Sequence, residues 1–183
     1  MSDTDGKYLD LFPAWLRSLG EDAEQLGEMV GVAELGESAR TPIAGGLNYL
    51  FKSLDLIPDG IDDIGYLDDA FVLRVAADQA IRADVTGLDS DRLRTLNRLA
   101  EDVDSLKEFL GDHYERLEAY VTGLKNGAAR GRSVSDIVSD ADTQTAFLAD
   151  VRGFAKTYES PSFGRDEKNL VKLRAFFDAK LPK

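Results

Sequence analysis

The chain of 183 residues contains no cysteine and a single histidine, His113. The absence of cysteine excludes disulfides, thiolate nucleophiles, iron–sulfur clusters and zinc–thiolate sites. A Ser-His-Asp triad or a multi-histidine metal site would depend on His113 alone. That residue lies in the apolar phase of a predicted helix, between Leu106 and Tyr120, so we expect a structural histidine. The common catalytic sets are therefore missing, and the sequence favours a protein that is not an enzyme without deciding the question.

Long hydrophobic runs are also missing. The longest stretch without a charged residue runs from 41 to 51, whereas a helix needs about 20 apolar residues to cross a bilayer. The first six residues contain two aspartates where a secretion signal would have a basic start and an apolar core. We therefore predict no transmembrane segment and a cytoplasmic location.

Basic residues are in the minority: 22 Lys and Arg stand against 34 Asp and Glu, which gives a net charge of −12. Nucleic acid and anionic lipid would be repelled by such a surface. Lys125, Arg130 and Arg132 form only a loose basic patch. The composition predicts that nucleic acid is not a partner, and a solvated acidic surface is its simplest explanation.

Apolar residues recur at helical spacing almost throughout, and no segment alternates with the period of a half-buried strand. The sequence thus predicts an all-α fold, a bundle of seven to eight helices forming a single domain over 1–183. Pro13 and Pro42 are expected in the first turns of two helices, and Gly20 is expected to end the first of them. A further helix should begin at Leu67 or Asp68, and the region 126–183 should contain shorter helices.

The strongest helical pattern lies near 91–125, where leucine or valine recurs every seven residues at Leu96, Val103, Leu110, Leu117 and Leu124. An unbroken helix of that length would measure about 52 Å, more than the roughly 40 Å width of a globule of this size. The helix should therefore protrude, bend near Gly111 or split there. Its apolar stripe is wide, which favours packing within the chain, while a homodimer through this long helix is the alternative.

Six aspartates stand out in the run LDLIPDGIDDIGYLDD and are the candidate metal ligands: Asp55, Asp59, Asp62, Asp63, Asp68 and Asp69. Carboxylates at this density repel one another unless caps, turns or a cation compensate them. Hard cations such as Ca²⁺ or Mg²⁺ prefer oxygen ligands from a short loop, but the EF-hand spacing is absent. The structural alternative has Asp55 accepting backbone N–H bonds and Asp68 and Asp69 in the first turn of the next helix.

The same run resembles the YkvA-like domain family of unknown function over about 42–82. Family members carry a pattern close to S-P-[IL]-D-L-[IL]-P-D-x-[IL]-P-x-[IL]-G-x-[IL]-D-D between two helices. The present chain has Lys52-Ser53 in place of Ser-Pro and Asp62 in place of the second proline. Its matching positions are Asp55, Pro58, Asp59, Gly65, Asp68 and Asp69. The resemblance implies a helical hairpin and, in many relatives, association with a membrane; it implies no established reaction.

Three functions are consistent with these observations. The first is a non-enzymatic helical protein in which the hairpin is a structural element or binds a protein partner, with no cofactor. The second is a module that binds a divalent cation, Ca²⁺ or Mg²⁺, through the aspartates, either for stability or for metal-assisted hydrolysis. The third is peripheral attachment to a membrane through the apolar residues Leu54, Leu56, Ile57, Ile61, Ile64 and Leu67.

Overall fold

A computed structural model describes residues 2–61 and 64–183, and the described part is helical apart from its connections. The helices are α1 (Asp3–Val30), α2 (Glu37–Tyr49), α3 (Leu67–Ile81), α4 (Ser90–Glu101), α5 (Val103–Leu110), α6 (His113–Gly123), α7 (Val134–Ser139), α8 (Ala141–Thr157) and α9 (Glu167–Lys180). A 3-10 turn (Leu124–Asn126) and a two-residue antiparallel ladder, β1 (Ala128–Ala129) with β2 (Arg132–Ser133), join α6 to α7. The predicted all-α class is confirmed.

Helix α1 is longer than predicted, because neither Pro13 nor Gly20 ends or begins a helix. Pro13 lies inside α1, where the buried neighbours Leu9, Phe12 and Leu16 offset the lost backbone hydrogen bond by packing. At Gly20, a Cβ atom would lie 3.3 Å from the carbonyl oxygen of Ala155 in α8. The glycine thus permits α8 to approach, and the expectation of a stop at this position was wrong.

Helices α2 and α3 pack closely and form the helical hairpin that the motif predicted. Pro42 lies inside α2, not at its start, because the helix already begins at Glu37. A Cβ atom on Gly46 would lie 2.7 Å from the Cβ atom of Ala76, so only glycine allows this approach. Helix α3 begins at Leu67 as predicted and is buried on nearly all sides, which makes it the central helix.

The predicted long helix near 91–125 is divided into α4, α5 and α6. A split at Gly111 was one of the three predicted outcomes, and the φ of +55° at this residue is a conformation that glycine tolerates best. A second break, at Asp102, has no comparable signal in the sequence. All five residues of the leucine-valine stripe are buried inside the chain, where they join the hydrophobic core.

One continuous hydrophobic core joins residues from Tyr8 to Leu181. It surrounds a buried ion pair: the guanidinium of Arg74 donates from Nε to Asp102 Oδ2 at 2.9 Å and lies 3.7 Å from Asp22 Oδ2. The same guanidinium stacks on the ring of Trp15, 4.1 Å from its centroid. Since Arg74 and Asp22 are both 1% exposed, these contacts replace the water that the charges lose on folding.

Candidate functional site

The segment 50–66 between α2 and α3, here called the aspartate loop, is fastened to both helices by one hydrogen-bonded unit. The hydroxyl of Tyr49 donates to Asp68 Oδ2 at 2.5 Å, and the backbone N–H of Ile57 donates to the same oxygen at 3.1 Å. The backbone N–H of Leu56 in turn donates to the Tyr49 hydroxyl at 2.7 Å. We call this unit, formed by Tyr49, Leu56, Ile57 and Asp68, the clamp. It lies in the interior, where Tyr49 and Asp68 are both 0% exposed.

The turn that returns the chain to α3 requires its glycine. A Cβ atom on Gly65 would lie 2.5 Å from the carbonyl oxygen of Asp59 and 3.0 Å from that of Ile61. The N–H of Gly65 donates to the carbonyl of Ile61 at 2.8 Å, and the N–H of Ile61 donates to that of Pro58 at 3.0 Å. Gly65 and Pro58 of the family pattern therefore shape the loop.

Asp68 and Asp69 lie in the first turn of α3, as predicted. Asp69 is 2% exposed, and its Oδ2 has no hydrogen-bond partner. Asp68 Oδ1 and Asp55 Oδ1 are also buried without a partner in the described part of the chain. The backbone N–H bonds that were expected at Asp55 therefore do not reach its Oδ1. One carboxylate oxygen of the aspartate loop and two of the first turn of α3 are thus buried without a donor.

The electrostatic consequences follow from burial. Burial raises the pKa of Asp55 to about 7; the carboxylates of Asp68 and Asp59 act in the same direction, and Lys52 opposes them. Burial also raises the pKa of Asp59, although its side chain remains accessible at the edge of the loop. The pKa values of the buried pair Asp68 and Asp69 are raised, chiefly by burial.

Asp68 and Asp69 differ in the interactions that counter or add to the effect of burial on their pKa values. The hydrogen bonds from Tyr49 and from the Ile57 N–H favour the charged form of Asp68. For Asp69, the neighbouring carboxylates of Asp68, Asp59 and Asp55 add to the effect of burial and raise its pKa further. Burial and the nearby Asp68 also raise the pKa of Tyr49, so its hydroxyl keeps its proton and acts as a donor.

The four candidate metal ligands that the structure describes lie in one region, but they do not form a group that could hold a metal ion. Within 2–61 and 64–183, no three acidic or histidine side chains are arranged to hold a metal ion together. Asp55, Asp59, Asp68 and Asp69 nevertheless lie near enough to influence one another electrostatically. The candidates Asp62 and Asp63 lie outside the described residues.

Residues from the C-terminal half cover this region, a contribution that the sequence did not indicate. Tyr66, which precedes α3 with a φ of +68°, packs its ring at 5.3 Å from the ring of Tyr158 at the end of α8. The hydroxyl of Tyr158 donates to the carbonyl of Leu16 in α1 at 2.7 Å. The one local indication of this contact in the sequence was the presence of an aromatic residue between Gly65 and the first turn of α3. The segment 126–183 therefore helps to enclose the start of α3.

The histidine and two residues of the loose basic patch make contacts in other parts of the chain. His113 is partly exposed at the start of α6, with Nδ1 3.0 Å from Arg116 Nη1. Arg132 pairs with Asp150 at 2.7 Å, and Arg130 stacks on the ring of Phe51. Two of the three residues of the loose basic patch are thus used inside the chain.

The apolar residues of the aspartate loop mostly face the core. Leu56, Ile57, Ile64 and Leu67 are between 0% and 4% exposed, while Leu54 is 85% exposed. Four of the six residues that a membrane attachment would need are therefore inside the bundle. In the described residues, no helix combines the length and the apolar character needed to cross a membrane.

Comparisons with known proteins agree with the motif. No curated protein and no solved structure matched the chain. A family model described as "Protein of unknown function (DUF1232)" matches residues 39–74, which include most of α2, the aspartate loop and the first half of α3. The match is consistent with the resemblance of this segment to the YkvA-like family, which the aspartate motif predicted.

Proposed function

We propose that this is a non-enzymatic helical protein in which the hairpin of α2, the aspartate loop and α3 is a structural element held by the clamp. The observation that carries the proposal is the double use of Asp68 Oδ2, which accepts from both Tyr49 and Ile57. One carboxylate oxygen thereby joins α2, the loop and α3. The acidic residue at this position of the family pattern would thus serve to hold the loop and the two helices together.

The energetic argument rests on burial. A typical hydrogen bond adds only about 1 kcal/mol to stability, but a buried group left without its partner costs about 1–3 kcal/mol. Removing the Tyr49 hydroxyl would leave the Leu56 N–H without an acceptor and would leave the Ile57 N–H as the one remaining donor of the clamp to Asp68. The clamp therefore stabilises the loop more than the same bonds would at the surface.

Burial also argues against direct catalysis by this unit. A general acid or nucleophile must contact its substrate, whereas Asp68 and Tyr49 are 0% exposed beneath the loop. Membrane attachment has little support either, because Leu54 is the one strongly exposed apolar side chain among the six candidates that the structure describes. An interaction role for the hairpin, if there is one, belongs to its outer surface around Leu54.

The test is a double-mutant cycle with Tyr49→Phe and Asp68→Ala, measured by urea unfolding in EDTA. Tyr49→Phe should lower the free energy of unfolding by about 1–3 kcal/mol, and the two changes should couple by at least about 1 kcal/mol. Tyr114→Phe is the matched control, because the Tyr114 hydroxyl is buried without a hydrogen-bond partner. Equal effects of the two tyrosine substitutions would contradict the clamp.

A further inference from the structure

A cleft lies between α6, the start of the aspartate loop and residues 182–183. Its volume is about 530 Å³, which is within the range of sites that bind small organic molecules. Much of its wall is formed by small or apolar residues: Ala119, Gly123, Leu124, Gly127 and Pro182. The cleft therefore has the size and the walls of a site for a small molecule with an apolar body.

Cationic side chains outnumber acidic ones around this cleft, although the chain as a whole has a net charge of −12. Among the described residues that line it, Lys52, Arg116 and Lys183 are cationic and Glu115 is acidic. Arg116 is already paired, with its Nη1 3.3 Å from Asp178 Oδ1. Lys52 and Lys183 form no ion pair within 2–61 and 64–183. The cleft thus offers cations that the folded chain does not neutralise.

Lys52 is held at the cleft by two tyrosines. Its ammonium lies 5.3 Å from the ring centroid of Tyr120 and 5.8 Å from that of Tyr49. Lys52 Nζ donates to the Tyr120 hydroxyl at 3.1 Å. In the part of the chain that the structure describes, the other ammonium N–H groups and the Tyr120 hydroxyl hydrogen have no acceptor. Two neighbouring donors, one of them charged, are therefore available to a ligand.

We propose that this cleft binds a small organic acid whose carboxylate accepts from Lys52 Nζ and from the Tyr120 hydroxyl. The apolar body of the acid would lie against Ala119, Leu124 and Pro182. A carboxylate can accept from two neighbouring donors at once, and its hydrogen bonds with an ammonium are stronger than those between neutral groups. The apolar body would gain free energy by leaving water for the apolar wall.

A second cleft, on the opposite side of α6, shows why the unpaired lysine decides the choice. This cleft is larger, at about 630 Å³, and Arg82 is the cation among the described residues that line it. Arg82 is paired with Asp78 at 3.0 Å and with Glu118 at 2.7 Å. Glu115 and Glu118 also line this cleft. An organic acid would therefore meet compensated or negative charge there, in spite of the larger volume.

The experiment is a titration of the isotope-labelled full chain with sodium benzoate and with sodium octanoate, at neutral pH and constant ionic strength, followed by NMR. Saturable shifts are expected for the amide signals of Ala119, Gly123 and Gly127, with a Kd of about 1 mM or tighter for at least one acid. This affinity is ordinary for a ligand of about ten non-hydrogen atoms. Benzamide, which has the shape of benzoate without its charge, should bind at least about 10-fold more weakly than benzoate.

Two results of this titration would overturn the proposal. One is the absence of saturable shifts in these signals with both acids up to about 10 mM. The other is equal binding of benzamide and benzoate, because the carboxylate would then contribute nothing.

Variants decide where the acid binds. Lys52→Met removes the charge and should weaken binding by about 10-fold or more. Gly123→Leu should abolish binding, because nothing lies within 4 Å of an added Cβ at this position and the leucine would occupy the cleft. Lys172→Met is the matched control, since Lys172 is an exposed lysine of α9 without an ion pair in the described residues. Wild-type affinity in both site variants would refute the site.

The cleft and the clamp are tested separately. Tyr49 contributes its ring to the surroundings of Lys52 and its hydroxyl to the clamp, so Tyr49→Phe should still bind the acid. Loss of the Tyr49–Asp68 coupling with normal acid binding would remove the clamp and leave the site. A normal coupling without acid binding would do the reverse.

Discussion

Replacing Asp69 by asparagine removes a buried carboxyl group while nearly preserving the shape of the side chain. Asp69 is 2% exposed, and its Oδ2 has no hydrogen-bond partner. Burial, followed by the charge of Asp68, raises its pKa well above the ordinary value for aspartate. In the absence of metal, this residue should therefore oppose folding at neutral pH, and Asp69→Asn should stabilise the protein.

The size of the effect follows from proton linkage. An aspartate in the unfolded chain has a pKa of about 3.9, and each pKa unit corresponds to about 1.4 kcal/mol. Because burial and the charge of Asp68 raise the pKa of Asp69 well above that value, keeping its proton at neutral pH costs free energy that an uncharged amide avoids. The new NH₂ group needs an acceptor, and imperfect pairing costs about 1–3 kcal/mol. We expect a net gain of about 1–3 kcal/mol at pH 7.

The sign of the pH dependence is fixed by the direction of the pKa shift. A carboxyl whose pKa is raised on folding binds its proton more tightly in the folded state, so its contribution to stability is greatest below the unfolded pKa. This contribution is lost as the pH rises toward the folded pKa. The advantage of Asp69→Asn should thus be largest at pH 7 and close to zero near pH 4.

The assay is urea unfolding of wild type and Asp69→Asn in EDTA at several values between pH 4 and pH 8, followed by circular dichroism. The difference in the free energy of unfolding between the two proteins is the quantity of interest. A variant that is less stable than wild type by the same amount at every pH would refute the reasoning, because the carboxyl would then be making favourable contacts. Asp142→Asn, at an exposed position, should show little change across the range.

Two further predictions concern the packing around the hairpin. In a urea titration, Gly46→Ala should lower the free energy of unfolding by about 1–3 kcal/mol, because the added Cβ would lie 2.7 Å from a Cβ atom of α3. The control is Gly153→Ala in α8, where nothing lies within 4 Å of the added Cβ. This variant should be neutral or stabilising by up to about 1 kcal/mol. Arg74→Ala should cost about 3–5 kcal/mol, since it leaves a cavity in the core and removes the buried guanidinium that bonds Asp102, while Asp22 keeps its ion pair with Arg98. A melting temperature of Arg74→Ala within 2 °C of wild type would contradict this estimate.

The sequence predicted the features that depend on local signals. The start of α3 at Leu67 follows from the turn residues before it and from two acids in the first turn of the helix, where its positive end favours them. Ser133 caps α7 by accepting from the Asp136 N–H, as the serine before that helix suggests. Such signals act within a few residues and can be recognised without knowledge of the fold.

Features that depend on tertiary packing were not predictable. Gly20 resembles a helix stop, but its lack of a side chain accommodates α8, which is more than a hundred residues away in the chain. Pro13 resembles a helix start, yet the core residues around it keep α1 continuous. The Tyr49 hydroxyl has no sequence signal for its role, because its partner Asp68 is brought close only by the closed hairpin. Short-range rules fail where packing outweighs local preference.

The two neighbouring aspartates of α3 show why the acidic motif resists a single explanation. Successive residues on a helix point in directions about 100° apart, so Asp68 and Asp69 meet different surroundings. Asp68 contacts Tyr49 and the loop N–H of Ile57, which compensate one of its oxygens. Asp69 acts on Tyr66 and Tyr158, where the residues around it offer aromatic surface and further negative charge. The first residue therefore fastens the loop by itself, whereas burial and its carboxylate neighbours favour the protonated form of the second. A family pattern that ends in two aspartates thus combines a permanent structural contact, made by Asp68, with a second position, Asp69, whose charge depends on whether its proton is bound.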